Sequence, residues 1–326
     1  MKKIDKGLVL FWLTTLLFAG NIYGQEIDNP FNRTKALFKD GLVFFNVDGI
    51  EITAQKKDAD FSAKNCINEF SHLKIKKKQL TTDTLLGFKN YYVLKSIEKQ
   101  QNFFTNIAYY FVHSPDDYII AFTFEYLNKR DEEFERIFIT LACNNRIPQS
   151  IYHSNVPEVI NFAGREVRLD KDCRWLGVNK LESTNGGQII WSLHKDMEDA
   201  NEFINNQFIW ASSQKRVDIV SDEITNVIFE GVETFARKVV YNHTDKKVTV
   251  TMIPTKKPSI FPHYNAGVSL SLFFIINPDP SKKLTAYFVA VPVRGYYVSC
   301  ILSYWESDQI NPSGLPPLLE KVMKLK

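Results

Sequence analysis

Two long stretches of this chain resemble one another, and that internal repetition limits the fold more than any other feature. Residues 41–144 can be laid over residues 157–326. The spacing between matching segments grows along the chain, so the second copy carries two insertions, one near Asn185–Gly187 and one within 241–276. The matching segments are 44–50 with 159–165, 87–91 with 231–235, and 108–110 with 286–288. The pattern predicts a duplicated scaffold.

The first 24 residues predict an export signal. Three lysines precede an apolar core that runs from Leu8 to Phe18, which is the order of segments in a secretory signal. That core is shorter than the ~20 residues needed to span a bilayer, so a cleaved signal is favoured over an uncleaved anchor. Cleavage after Gly24 would make Gln25 the first mature residue. We therefore expect an exported protein, periplasmic or extracellular, with no integral membrane segment after cleavage.

The charge balance argues against a nucleic-acid partner. The whole chain has a formal net charge of +3, and removal of the basic signal leaves the mature protein close to neutral. Nucleic-acid-binding domains normally carry a strong basic excess. A local basic run does occur at Lys74, Lys76, Lys77 and Lys78. Its simplest interpretation is the solvated face at the end of a strand or helix.

The length suits two domains of ordinary size. The predicted boundaries are residues 25–147 for the first repeat domain and 158–326 for the second. A linker at 148–157 joins them, since it begins at Pro148, ends at Pro157 and carries serine and asparagine between them.

Hydrophobic periodicity and turn signals predict similar elements in both halves. Asp48-Gly49 predicts a hairpin turn, and Ala163-Gly164 is its counterpart. Helix caps are predicted at Asp60 and Asp196. In the first half, the remaining predictions are a helix at 132–143 and strands at 74–80, 91–97, 103–112 and 118–127. In the second half, they are a hairpin turn at 185–187, a final helix after Pro316-Pro317, and strands at 189–193, 217–220, 234–241, 248–253, 269–276, 285–291 and 296–304.

This order predicts an α+β fold made of two tandem duplicated domains, each an antiparallel sheet flanked by helices. Residues 161–170, followed by Cys173-Arg174-Trp175, resemble the opening of PsbP/Mog-type domains, which place a hairpin before a tryptophan. The proline usual before that tryptophan is missing here. The resemblance implies a non-enzymatic binding scaffold of α/β/α type. It transfers no functional residue to this sequence.

No catalytic or metal-binding motif was found. The six histidines show no metal-ligand spacing, and the sequence has neither a nucleophile elbow nor a phosphate-binding glycine loop. We therefore predict no cofactor and no metal site. Glu125 and Glu306 end equivalent strands, one in each half. An alternative is thus a hydrolase-type enzyme that uses carboxylates in a cleft between the domains.

The four cysteines are divided evenly between the halves. Cys66 and Cys143 lie in the first, and Cys173 and Cys300 in the second. Export permits disulfides, and four cysteines allow three pairings. Cysteine also serves as a small buried hydrophobic residue, so disulfides and free thiols both remain open.

The leading functional hypothesis is a non-catalytic extracytoplasmic binding protein whose partner is another protein or a surface polymer. The partner would bind in the groove between the domains or at the insertion in the second half. Tryptophan is enriched at binding hot spots, and four tryptophans lie in the second half. Trp175 with its neighbour Arg174, and Trp305, are the candidate contact residues. A core role for both tryptophans stays open, because tryptophan is buried on average.

Overall fold

A computed structural model describes residues 30–100, 103–127, 129–214, 217–243 and 283–326. The predicted export signal and the predicted strands at 248–253 and 269–276 lie outside the described residues.

The first half forms a six-stranded antiparallel sheet, with the strand order β1-β2-β3-β6-β5-β4. Its strands are β1 (Lys35–Lys39), β2 (Leu42–Val47), β3 (Ile50–Lys57), β4 (Asn90–Gln100), β5 (Phe103–His113) and β6 (Ile119–Leu127). The predicted Asp48-Gly49 hairpin is confirmed as the β2–β3 turn.

One helix packs against each face of this sheet, the first of seven residues and the second of twelve. Helix α1 (Ala63–Glu69) begins after Ser62, whose side chain accepts a hydrogen bond from the Asn65 amide; the cap predicted at Asp60 is therefore two residues early. Helix α2 (Glu132–Cys143) has the predicted bounds and is capped by Asp131. Cys66 and Phe70 contribute to the core on the α1 face, whereas Phe138 and Ile139 of α2 contribute to the core on the other face.

The second half forms an eight-stranded antiparallel sheet, with the order β16-β12-β13-β14-β15-β11-β10-β9, and a separate β7–β8 ribbon. Helix α3 (Met197–Ser212) starts at the predicted cap Asp196, and helix α4 spans Pro317–Glu320. The strands are β7 (Val159–Phe162), β8 (Arg165–Arg168), β9 (Cys173–Gly177), β10 (Lys180–Ser183), β11 (Gln188–His194), β12 (Val217–Phe229), β13 (Val232–His243), β14 (Lys283–Val293), β15 (Tyr296–Trp305) and β16 (Met323–Leu325).

The two sheets follow the same path over six strands. The order β1-β2-β3-β6-β5-β4 corresponds to β9-β10-β11-β15-β14-β13, and the second sheet adds β12 and β16 beyond it. Helix α1 follows β3 as α3 follows β11. In strand order, the counterpart of the β2–β3 hairpin is thus β10–β11. The sequence match of residues 44–50 with 159–165 had pointed instead to β7–β8, which stands outside both large sheets.

The predicted fold class, an α+β sandwich in which helices flank each sheet, is wrong. The described residues are dominated by large antiparallel sheets and contain few helices. The predicted helix after Pro316-Pro317 has only four residues, and the chain then enters β16, which pairs with the edge strand β12. Main-chain pairing of Met323–Leu325 with that open edge replaces the last helical turns.

The predicted strand at residues 74–80 is also absent. Two 3-10 turns, Ser71–Leu73 and Lys77–Gln79, occupy this region. Lys74 between them is in the left-handed conformation with φ of 51°, which interrupts an extended strand.

The two halves pack directly against each other through α3. Trp210 and Ala211 of this helix share a core with Phe288 and Ile301 of the second sheet, and Phe103 of the first sheet joins the same core. The β2–β3 turn also reaches α3. Gly49 has φ of 81°, and a Cβ atom there would lie 2.4 Å from the Phe203 ring, so the turn requires glycine for both conformation and contact.

Candidate functional site

A cleft of about 460 Å³ lies between the two halves, at the end of β11. The first half contributes the segment before β1, and the second half contributes the β11–α3 junction and the β14–β15 turn. Its lining contains three cationic side chains and no carboxylate. We call this site the inter-half cleft; its lining residues are Asn32, Arg33, His194, Lys195, Arg294, Gly295, Tyr296 and Tyr297.

Carboxylates behind the cleft hold its arginines in place. Arg33 binds Asp48 through two hydrogen bonds, Nε to Oδ1 at 2.7 Å and Nη2 to Oδ2 at 3.0 Å. Arg294 donates from Nη2 to Glu230 at 2.8 Å and from Nε to the Ala163 carbonyl at 2.8 Å. Within the described part of the chain, Nη1 of Arg294 makes no hydrogen bond. A guanidinium has five N–H donors, so a fixed arginine of this kind keeps donors for a ligand.

His194 is a buried, neutral part of the cleft wall. Its Nε2 lies 2.7 Å from Ser299 Oγ, while its Nδ1 has no hydrogen-bond partner among the described residues. Burial, and secondarily the charge of Arg33, lower the pKa of His194 from 6.5 to about 4. The imidazole is therefore uncharged at neutral pH, and its Nδ1 is buried.

The stability of the protein should depend on pH through His194. The folded-state pKa is lower than the unfolded one, so the unfolded chain binds more protons between these values. Stability present above pH 6.5 is therefore lost as the pH falls towards 4, by roughly 2 to 3 kcal/mol. Urea unfolding of His194→Asn at several pH values should show a shallower loss in this window.

The contact between Ser299 and His194 has the distance of a nucleophile and its general base. Two features distinguish it from a catalytic pair. Ser299 is 1% exposed and is absent from the cleft lining. The third group that would orient the base through Nδ1 is missing in the described ranges. The arrangement is that of a buried polar contact under α3.

The candidate contact residues from the sequence do not form one surface. Trp175 is half-buried, donates from Nε1 to the Ser154 carbonyl at 2.9 Å and stacks on His153. Arg174 is exposed and pairs with Glu182. Trp175 packs on one core of the second sheet and Trp305 on the core of the opposite face. Neither tryptophan lines the inter-half cleft.

The carboxylates of the enzyme alternative also lie apart from the cleft. Glu125 is buried on β6, directly opposite Glu51 of β3. Glu51 pairs with Lys180 of the second half. Glu306 is exposed just beyond β15. The carboxylate that pairs with the second half is thus Glu51, which no sequence pattern indicated.

All four cysteines, Cys66, Cys143, Cys173 and Cys300, are buried free thiols. Burial raises the pKa of the Cys66 and Cys143 thiols to about 12, which disfavours the reactive thiolate. The sequence left both disulfides and free thiols open, and in the structure all four cysteines are free thiols.

The described segments contain no group of three or more histidine, cysteine or acidic side chains placed to hold a metal ion. In these same segments, no helix has both the length and the apolar character needed to cross a bilayer.

Comparison with known proteins gives no family for this chain. No protein-family model matches it, and no curated protein matches it. One solved structure with partial similarity is the di-domain ARO/CYC StfQ from the steffimycin biosynthetic pathway, at 12% identity, covering 89% of this chain and 77% of that one, with a TM-score of 0.14. A superposition this poor supports no argument about fold or function. None of these comparisons bears on the PsbP/Mog-type resemblance.

Proposed function

We propose that this protein is a non-catalytic, exported binding protein that holds an anionic group of its ligand in the inter-half cleft. The observation that carries the proposal is the cleft lining, where Arg33 of one half and Lys195 and Arg294 of the other surround a single cavity without a carboxylate. Export follows from the signal predicted in residues 1–24. The ligand belongs to the class predicted from the sequence, which is another protein or a surface polymer. The cationic lining of the cleft adds that the bound group of this ligand is negatively charged.

The dimensions of the cleft fit ligand binding. Its volume lies in the ~300–1,000 Å³ range of small-molecule sites, and its lining is mostly polar. Arg294 is anchored by Glu230 and two main-chain carbonyls, so little side-chain freedom would be lost when a ligand binds. Tyr296 and Tyr297 add amphipathic ring surface beside these cations.

The same lining argues for binding over catalysis. General acid–base chemistry at neutral pH works best with a group whose pKa lies near 7. The pKa of the lining imidazole, His194, is about 4 because of its burial. The carboxylates near the cleft, Asp48 and Glu230, are engaged by arginines.

Anion binding can be measured by thermal unfolding and calorimetry with phosphate, sulfate, citrate and glucuronate as probes. At about 100 times its Kd, a bound anion should raise the free energy of unfolding by about 2.7 kcal/mol. Arg294→Gln should weaken binding of the best probe about tenfold or more, since a hydrogen bond to a charged group contributes about 1.5–3 kcal/mol. Lys195→Gln should weaken it less, because Lys195 is about half exposed.

The matched control is Arg237→Gln, which removes an arginine paired with Asp222 on the β12–β13 hairpin and outside the cleft lining. It should bind the probe as the wild type does. The proposal is wrong if no probe stabilises the protein beyond sodium chloride of equal ionic strength, or if Arg294→Gln and Arg237→Gln bind equally well.

A further inference from the structure

The structure brings lysines from three separate segments to one face of the first half. Lys57 ends β3, the lysine run follows α1, and Lys95 lies on β4. Burial lowers the pKa of His72, and the charge of nearby Lys57 lowers it further. Lys95 Nζ donates a hydrogen bond to the Leu73 carbonyl at 3.1 Å, next to Lys74, and the charge of Lys74 adds to the burial that lowers the pKa of Lys95. We call this surface the α1 basic face; it consists of Lys57, His72, Lys74, Lys76, Lys77, Lys78 and Lys95.

The charge of this region is far from balanced. Residues 56–95 contain nine lysines, no arginine and four acidic residues, a net charge of +5 in a chain whose total is +3. One of the four acids, Asp83, is engaged by Arg136 of α2. The remainder of the chain is therefore slightly acidic, and the positive charge is concentrated in residues 56–95.

Most lysines of this face have no acidic partner. Within the described ranges, Lys57, Lys76, Lys77 and Lys78 form no ion pair, and Lys76, Lys77 and Lys78 are exposed. The cations of the inter-half cleft, in contrast, are all paired with carboxylates. Unpaired lysines repel one another, and an anionic partner would relieve that repulsion.

The composition of the face favours a broad charged surface over a shaped ligand. Arginine is the usual residue for bidentate recognition of phosphate or carboxylate, whereas lysine acts as a point charge. The neighbouring aromatic rings are already occupied, since Phe61 stacks on Tyr91 and Lys56 covers Tyr118. Ile97 is 41% exposed on β4, and strand alternation places it on the same face as Lys95. Lysines beside an exposed aliphatic residue suit an anionic lipid surface.

We propose that the α1 basic face docks this protein peripherally on a membrane surface that contains anionic lipids. The attraction is electrostatic and comes mainly from the lysine run, with Ile97 in contact with the interfacial region. This proposal is independent of the anion site in the inter-half cleft.

Co-sedimentation of the full chain with vesicles tests it. Binding to mixed phosphatidylglycerol and phosphatidylcholine vesicles should exceed binding to pure phosphatidylcholine and should weaken as salt screens the charges. Each lysine near an anionic surface contributes about a fivefold change in partitioning. The triple variant K76Q/K77Q/K78Q should therefore bind on the order of a hundredfold more weakly. Its melting temperature should stay unchanged, because the three side chains are exposed.

The matched control is K39Q/K171Q/K324Q, which has the same net charge but removes exposed lysines elsewhere. It should retain at least most of the vesicle binding. Equal loss in both triples would overturn the proposal, as would binding that does not depend on anionic lipid. Capture of soluble heparin without any vesicle binding would also overturn it, by assigning the face to a polyanion. Arg294→Gln should bind vesicles like the wild type, which separates this result from that of the cleft.

Discussion

Glu135→Gln is expected to lower the free energy of unfolding by about 3 to 5 kcal/mol. Glu135 is fully buried on α2 and accepts hydrogen bonds from Arg130 Nε and from the Tyr110 hydroxyl, both at 2.8 Å. The amide cannot neutralise the arginine, whose side chain is 12% exposed. The change would therefore leave a largely buried cation without its main partner.

The effect should be large because Glu135 belongs to a closed network. Tyr110 also lies 3.4 Å from Asp83, Asp83 binds Arg136, and Glu132 accepts from both Arg136 and Arg130. This network joins the loop before β4 and the start of α2 to the sheet. Fully satisfied polar networks of this kind rigidify a fold, and removal of one member affects the others.

Glu133→Gln is the matched control for the network. It removes an exposed carboxylate from the same first turn of α2 and should cost less than about 1 kcal/mol. Denaturant unfolding of both variants gives the comparison. A loss of under 1 kcal/mol for Glu135→Gln would show that the network contributes little to stability.

The sequence predicted elements whose signals are local. The Asp48-Gly49 turn, the cap at Asp196 and the bounds of α2 all depend on residues a few positions apart, and capping and turn preferences act over that range. The run at residues 74–80 was misassigned because alternation of Ile75 with lysines resembles a strand, whereas Lys74 adopts a left-handed conformation. The terminal helix was overestimated because its last residues pair with an edge strand distant in sequence.

The inter-half cleft could not be found in this way. More than 90 residues separate Arg33 from His194, and more than 90 separate His194 from Arg294. Only the packing of α3 between the halves brings the three together. One local pattern in the sequence indicated part of the cleft, because His194, Lys195 and Asp196 lie together at a strand-to-helix junction. The predicted contact residues were tryptophans, chosen by residue type, and these pack mainly against the cores of the second sheet.

Lys180→Met should lower the free energy of unfolding by about 3 kcal/mol and weaken the contact between the halves. Lys180 of β10 is 8% exposed and pairs with Glu51 of β3. Glu51 lies directly opposite the buried Glu125 in the β3–β6 register. Like charges in that position destabilise a sheet. The lysine of the second half therefore offsets a repulsion within the first, and methionine keeps its volume without its charge.

A double-mutant cycle with Glu51→Gln separates this pairing from a general effect of the substitution. Because Glu51→Gln removes one of the two facing carboxylates, Lys180→Met should cost less in that background, by about 1–3 kcal/mol. The surface pair Lys238 and Glu223 provides the matched control, since Lys238→Met should cost at most about 1 kcal/mol. If the halves depend on this ion pair, Lys180→Met should also separate the unfolding of the two sheets into two transitions. Equal costs for Lys180→Met and Lys238→Met, with no coupling to Glu51, would instead mean that apolar packing around α3 holds the halves together unaided.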